Sequence, residues 1–290
     1  NKQKRPIMKN QLKTAALLGL LAGLFLLIGG LIGGRQGLII ALVFAVGFNF
    51  VSYWWSAKIS LAIYKAKEAD RNQYGDLYSM VEEIAHSAKL PIPKIYIVKS
   101  PQANAFATGR NHKNAVVAVT TGIMKILNRN ELKGVLAHEV AHIKNRDILI
   151  SSIAATIAAV ISYLAMMARW AAIFGGFGRS RDGGNIIELI VLAIIAPIMA
   201  MIIQFAISRS REFLADSTGA KMINDPFSLA SALEKIHNNV HHHPLKKMGT
   251  TEATAHLFIA NPFKGKSFLK LFSTHPSVES RTKKLRSMKL

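Results

Sequence analysis

The chain has 290 residues, half of them apolar, no cysteine, and 37 Lys and Arg against 16 Asp and Glu, a formal charge of +21. Without cysteine, disulfides, thiolate metal ligands and a cysteine nucleophile are excluded, so any bound metal is held by His, Asp or Glu. The basic excess suits a nucleic-acid partner or a membrane topology, but no nucleic-acid motif is present and the apolar residues gather in four runs nearly free of charge, which points to a lipid bilayer.

The chain opens on a basic tail with Lys2, Lys4, Arg5, Lys9 and Lys13. Residues 14–34 then carry no charge over 21 positions, enough helix to cross roughly 30 Å of hydrocarbon, and residues 36–57 repeat the feature. Only Arg35 divides them, so the spacing predicts a tight transmembrane hairpin within 1–57, with Tyr53, Trp54 and Trp55 at the interface. The length of the first run and the second run directly after it argue against a cleaved signal peptide. Residues 58–147 hold 14 basic and 8 acidic residues, so by the positive-inside tendency both flanks of the hairpin face the cytoplasm.

Within 58–147, residues 73–90 have helical spacing, with Leu77, Met80, Val81, Ile84 and Ala85 on one side. PIPKIYIVKS (91–100), NAFATG (104–109) and NAVVAVTTG (114–122) read as three short strands joined by polar turns. A helix is predicted from about Asn130, its cap, with Glu131 near the positive end.

That helix carries HEVAH, residues 138–142. His138 and His142 stand one turn apart, so both rings leave the same face and can grip one ion, while Glu139 can reach a water on that ion. Neutral imidazole suits Zn²⁺, which lowers the pKa of its water to about 7 and polarises a carbonyl; a carboxylate can take the water's proton and pass it to a leaving amine. A catalytic zinc needs a third protein ligand, and no third His follows closely: position 145 is Asn and position 148 is Ile.

The third and fourth apolar runs, 148–168 and 186–207, are predicted to form a second hairpin across 148–207, joined by a Gly-rich link. The fourth contains Glu188 and Pro197; Glu188 in a bilayer would be functional or paired, whereas a buried protein helix beside the membrane would accommodate it differently. Just after it comes SRSREFLADSTGAKM, where Glu212 and Asp216 share a helix face. Glu212 can ligate the ion and Asp216 can accept the free ring N–H of a ligating His. An ordinary acidic pair on a solvated helix end has the same spacing. His142 and Glu212 stand only five and four residues from these runs, so if the helices continue, a shared ion lies within about 10 Å of the membrane surface. His241, His242 and His243, followed by Pro244, read as a solvated loop rather than a second metal site. In STHPSVESR (273–281), Pro276 suits the first turn of a terminal helix whose basic face Arg281 would join.

The two motifs HEVAH and EFLAD, divided by two apolar runs and preceded by an N-terminal apolar pair, resemble the HtpX-type integral-membrane zinc endopeptidases, relatives of the CAAX prenyl proteases. NAFATG and STHPSVESR fit as well, and the similarity covers nearly the whole chain. The resemblance implies an α+β, mainly helical zincin-like metallopeptidase domain with a small sheet, built from 58–147 and 208–290 and carried on about four transmembrane helices in two hairpins. It implies one Zn²⁺ on His138, His142 and Glu212, catalytic Glu139, and a protease of the bacterial inner membrane, facing the cytoplasm, that hydrolyses misfolded or damaged membrane proteins. It would make Asn104, Ala105, Phe106 and Ala107 an edge strand to which an extended polypeptide substrate adds itself, and would set His275 near the zinc as an oxyanion stabiliser. A core-facing strand and a helix-start turn are the plainer readings of those two segments. A polytopic membrane scaffold or transporter binding metal through the same histidines is the alternative, though neither role requires a Glu directly after His138.

Overall fold

A computed structural model describes residues 4–174, 194–242 and 276–290. In chain order its elements are α1 (Lys4–Ile63), β1 (Lys67–Glu68), α2 (Gly75–Ala88), β2 (Lys94–Val98), β3 (Ala105–Thr108), a single 3-10 turn (His112–Asn114), β4 (Val116–Thr120), α3 (Thr121–Ile126), α4 (Arg129–Lys144), α5 (Asp147–Phe174), α6 (Ala196–Ile223), α7 (Pro226–His242) and α8 (Val278–Arg286). The chain divides into two compact units, residues 1–52 with 150–208 and residues 53–149 with 209–290. The architecture is mainly helical with one small mixed sheet.

In the first unit, three helices meet through residues at helical spacing: Leu21, Phe25 and Ile28 of α1, Ala154, Ala158, Ile161 and Leu164 of α5, and Ala200, Ile203 and Ile207 of α6. Small residues at the contacts of α5 let backbones approach, while the outward faces are also apolar, with Leu20, Leu26, Leu27, Tyr163 and Met199 exposed. The stretch Asp147–Met166 is long and apolar enough to cross a bilayer. The predicted fold-back at Arg35 is not formed: residues 4–63 make one helix of 60 residues. Nothing there stops a helix. Between the two apolar runs stand Gly, Arg and Gln without proline, and no α1 residue takes a left-handed backbone conformation. Glycine weakens a helix by about 1 kcal/mol without ending it. The basic residues flanking the two runs therefore lie at opposite ends of α1, and the same-side placement read from them is corrected. The Gly-rich link and Glu188 lie outside the described residues. The histidine triple is also corrected in part, because α7 carries helix through His242.

The second unit holds a four-stranded sheet in the order β1-β2-β4-β3. β2 and β4 are parallel; β1 with β2 and β3 with β4 are antiparallel. Alternation divides the side chains. Ile95, Ile97, Ala105, Ala107, Val117 and Val119 face a core shared with α2, α4 and α7, while Val98, Phe106 and Ala118 face a smaller cluster closed by Leu61 and Tyr64. β3 ends the strand order, so its second edge is not taken by a strand among the described residues.

Helix α4 is capped by Asn128, two residues before the position the sequence suggests. Its side chain accepts the Glu131 N–H, and Glu131 accepts the Asn128 N–H in return, a complete capping box. Buried Glu131 also takes hydrogen bonds from Ser231 Oγ at 2.7 Å and Lys235 Nζ at 2.8 Å, fastening α4 to α7. Burial pushes its carboxyl up, but Lys235, the Asn128 N–H and Ser231 outweigh that and hold it below the usual range. Gly219 permits the crossing of α6 on α4: a Cβ there would lie 2.8 Å from the Ala137 carbonyl carbon and the His138 nitrogen. This close approach sets Glu212 and Asp216 beside the histidines.

Candidate metal and catalytic site

His138 and His142 leave α4 one turn apart with rings edge to face, centroids 4.6 Å apart and planes at 85°. Their Nε2 atoms are 3.0 Å apart. Glu212 Oε1 lies 3.3 Å from His142 Nε2, and Glu212 Oε2 lies 3.6 Å from His138 Nε2. One donor atom from each residue falls within 4.8 Å of the others, a His₂Glu set suited to a single zinc ion with an open position.

Each imidazole is backed by a carboxylate and then a guanidinium. His138 Nδ1 lies 3.0 Å from Asp216 Oδ1, and Arg281 grips Asp216 with Nη2 at 2.7 Å and Nε at 2.9 Å. His142 Nδ1 lies 2.8 Å from Asp147 Oδ2; Arg211 Nε donates to the other oxygen of Asp147, and its Nη2 donates to the Asn145 carbonyl at 2.7 Å. The His142–Asp147 hydrogen bond fixes that ring's tautomer so that Nε2 presents its lone pair to the metal, and Asp216 stands at ion-pair distance from His138 Nδ1.

Charge supplies an independent test of the fit. Glu139, Asp147, Glu212 and Asp216 are buried carboxylates, and Arg211 and Arg281 are buried guanidiniums. Four carboxyl groups against two guanidiniums make the cluster rich in acids, a set a divalent cation suits. Burial raises the carboxyl pKa of Glu139, an effect the two imidazoles oppose only in part and Glu212 reinforces. Burial also disfavours a charged His142, yet the hydrogen bond to Asp147 and the Glu212 carboxylate outweigh it and raise its pKa well above the ordinary value. For Asp216 burial pushes up, but Arg281 and His138 prevail and hold it low; for Arg281 burial pushes down, and Asp216 with Glu212 more than reverse it.

β3 meets this site. The Ala107 N–H donates to Glu139 Oε2 at 2.8 Å. Asn104 faces β4, since its carbonyl accepts the Thr120 N–H at 3.0 Å and the Thr120 hydroxyl at 2.9 Å. All four side chains from Asn104 to Ala107 are buried. His275 lies outside the described residues.

Arg281 is corrected outright: it is 1% exposed and joins the metal cluster, with Nη1 3.1 Å from Glu212 Oε2, rather than a basic outer face. Leu285, one turn on and buried, is the signal that Arg281 shares the inward face of α8. Asp147 and Arg211 were also missed as partners of His142. A lone Asp directly before a 21-residue apolar run was the available clue.

A helix bearing two histidines and a glutamate, a second helix returning a carboxylate, and an edge strand beside them define a zinc metallopeptidase of the gluzincin type. The family model described as peptidase family M48 matches residues 71–289, and the chain belongs to that family. It is similar to a protease HtpX homolog of Syntrophobacter fumaroxidans (51% identity, 97% of this chain and 100% of that one) and to one of Persephonella marina (54%, 96% of each). A third, from Thermococcus kodakarensis, is 52% identical over 96% of this chain and 95% of its own. Among solved structures, the crystal structure of S. mikatae Ste24p shares the fold with a TM-score of 0.57 at 19% identity, over 97% of this chain and 66% of that one. Family membership sets aside the scaffold or transporter alternative: the chain is a zinc-dependent protease acting on polypeptides.

Proposed function

We propose that the chain is a membrane-integrated zinc endopeptidase in which His138, His142 and Glu212 hold the ion, Asp216 orients His138, and Glu139 is the general base. The observation that carries this reading is the meeting of three ligand atoms within 4.8 Å beside a buried carboxylate tied to an edge strand. Zinc bound there supplies a water of lowered pKa and polarises the scissile carbonyl. Glu139, its carboxyl raised by burial, takes a proton from the attacking water and returns it to the leaving amine. The Ala107 N–H keeps that carboxylate pointed at the site. Alternation turns the backbone groups of Ala105 and Ala107 away from β4, so Asn104, Ala105, Phe106 and Ala107 form the strand on which an extended substrate adds its own hydrogen bonds. His275, six residues before Arg281, takes the oxyanion role the resemblance implies.

The three-helix unit, apolar at its contacts and on its outer faces, supports a bilayer location for the Ala15–Ile28 part of α1 and for 148–207, with the catalytic domain assembled from 58–147 and 208–290. Spanning by both the third and fourth apolar runs returns His142 and Glu212 to one side, and the basic excess of 58–147, 14 against 8, supports taking that side as the cytoplasmic face of the inner membrane. Misfolded or damaged membrane proteins, whose loops and tails lie within reach of that surface, are the substrate class.

Glu139→Gln decides the mechanism. It should abolish hydrolysis while leaving one zinc per chain by elemental analysis; retained hydrolysis refutes the general-base assignment. Equal cleavage of soluble unfolded chains and of membrane-protein loops in detergent would refute selection of substrate by location.

A further inference from the structure

A cavity of about 330 Å³ adjoins the metal cluster, with His142 in its wall. Its lining includes Arg110, His112, Lys113 and Arg146, with Ile143, Ile148 and Leu149 as its apolar part, and no acidic residue lines it among the described residues. The walls are built. Gly109 turns the chain one residue past β3 with φ +132°, where a Cβ would meet the Asn114 carbonyl oxygen at 2.3 Å. The Asn111 side chain accepts the Asn114 N–H at 3.0 Å and its Nδ2 at 2.8 Å, closing the loop on itself. Arg110 is stacked over the Trp54 ring at 4.2 Å, so its guanidinium is held before any ligand arrives. Nε2 of His112 is buried and finds no hydrogen-bond partner among the described residues. A buried polar atom of this kind, in a wall with three cationic side chains and no acidic lining residue among the described residues, is complementary to an anion.

We propose that this cavity is a subsite for an acidic side chain of the peptide substrate, a specificity element that rests on the proteolytic reading above. β3 leads directly into it at Gly109, and a metal ligand forms its wall, so a chain laid along β3 reaches it. The walk of the acidic residue along the peptide fixes its distance from the scissile bond, one position per about 3.3 Å of extended chain. Its carboxylate meets the exposed Lys113 and Arg146 and the His112 ring, while its methylenes cover Ile148.

The test reads binding first and does not need turnover. A ten-residue fluorescent peptide carries a single Glu, walked through every position on both sides of the cleavage site, against Gln at the same position. Each is titrated into the zinc-loaded full-length Glu139→Gln protein in neutral detergent. One position should show Glu binding roughly five- to tenfold tighter than Gln, as a charge-assisted contact would. That preference should fall below about twofold in a background that adds Lys113→Gln and Arg146→Asn, and also in about 0.5 M NaCl, with the Gln peptide changed by less than about twofold. Lys113 and Arg146 are exposed, and Asn tolerates the left-handed backbone of residue 146, so the variant should keep its melting temperature. No preference at any position, or a preference surviving the double substitution, overturns the proposal. So does binding of phosphatidylglycerol vesicles that requires Lys113 and Arg146 without any Glu preference, since the cavity would then read a lipid phosphate. Failure of the wild type to hydrolyse the parent peptide would instead count against the proteolytic reading and leave the binding result standing.

Discussion

The two imidazoles are oriented by the same chemistry, an Asp backed by an Arg, but the partners come from different parts of the chain. His138 depends on Asp216 in α6 and on Arg281 in the terminal helix, a contact spanning 143 residues, and is 1% exposed. His142 depends on Asp147, the first residue of the apolar helix α5, and on Arg211, next to the ligand Glu212, and its side chain is 16% exposed. One relay is closed by the C-terminal segment. The other is closed at the roots of the apolar helices, so it links the metal site to the segments proposed to sit in the membrane. The difference teaches that a two-histidine motif read as one unit has two separable supports.

The largest effect is expected at the drier relay. Arg281→Met leaves Asp216 and one oxygen of Glu212 buried without their cation, which should destabilise the chelated protein by about 3–5 kcal/mol in denaturant unfolding. Zinc should recover part of that loss, because the ion itself supplies positive charge; a loss unchanged by zinc would mean that the buried acids are not balanced by a bound cation. Arg211→Met should act in the same direction with a smaller stability loss, roughly 2–3 kcal/mol, since His142 keeps some water contact. Its distinctive signature is metal affinity, which should fall about 10–100-fold by competition with a chelator as His142 loses its orientation. An affinity equal to the wild type would show that Asp147 holds the ring without Arg211.

Gly219→Ala tests the crossing that both relays share. The added methyl meets the backbone of Ala137 and His138, not a side chain that can swing away, so a loss of about 1–3 kcal/mol is expected along with weaker zinc binding. A wild-type melting curve would mean that α4 and α6 can separate at no cost. The smallest effect concerns pH. His142 has a raised folded-state pKa, so in the chelated protein its protonated form contributes stability below the unfolded value near 6.5, and that contribution disappears as pH rises through the raised value. Zinc requires the neutral ring, so metal binding should release a proton and apparent zinc affinity should climb with pH across the same window. Calorimetry in buffers of different ionisation enthalpy reads that proton directly.

Local patterns carried much of the design. HEVAH on a helix, the alternation of β2, β3 and β4, and the i to i+4 step from Glu212 to Asp216 are short-range repeats with fixed geometry, so residue order alone offered two histidine ligands, a small sheet and an acidic pair that only the family resemblance turned into a third ligand. The misses share a cause. Arg281 looked like a surface charge because its partner lies 65 residues away, and Asp147 looked like the edge of an apolar run because Arg211 lies 64 residues on. The fold-back at Arg35 failed for a related reason: charge and glycine mark a break only when some other segment rewards the turn.

Sequence by itself therefore determined the helical pairing of His138, Glu139 and His142, since residue type and helical spacing are properties of a few adjacent residues. Only the tertiary structure decided which carboxylate serves which imidazole, which arginines balance the charge, and that β3 ends the sheet beside Glu139. Those are matters of long-range packing, where a buried charge takes whichever partner the fold brings within 3 Å, and no local pattern records which one that is.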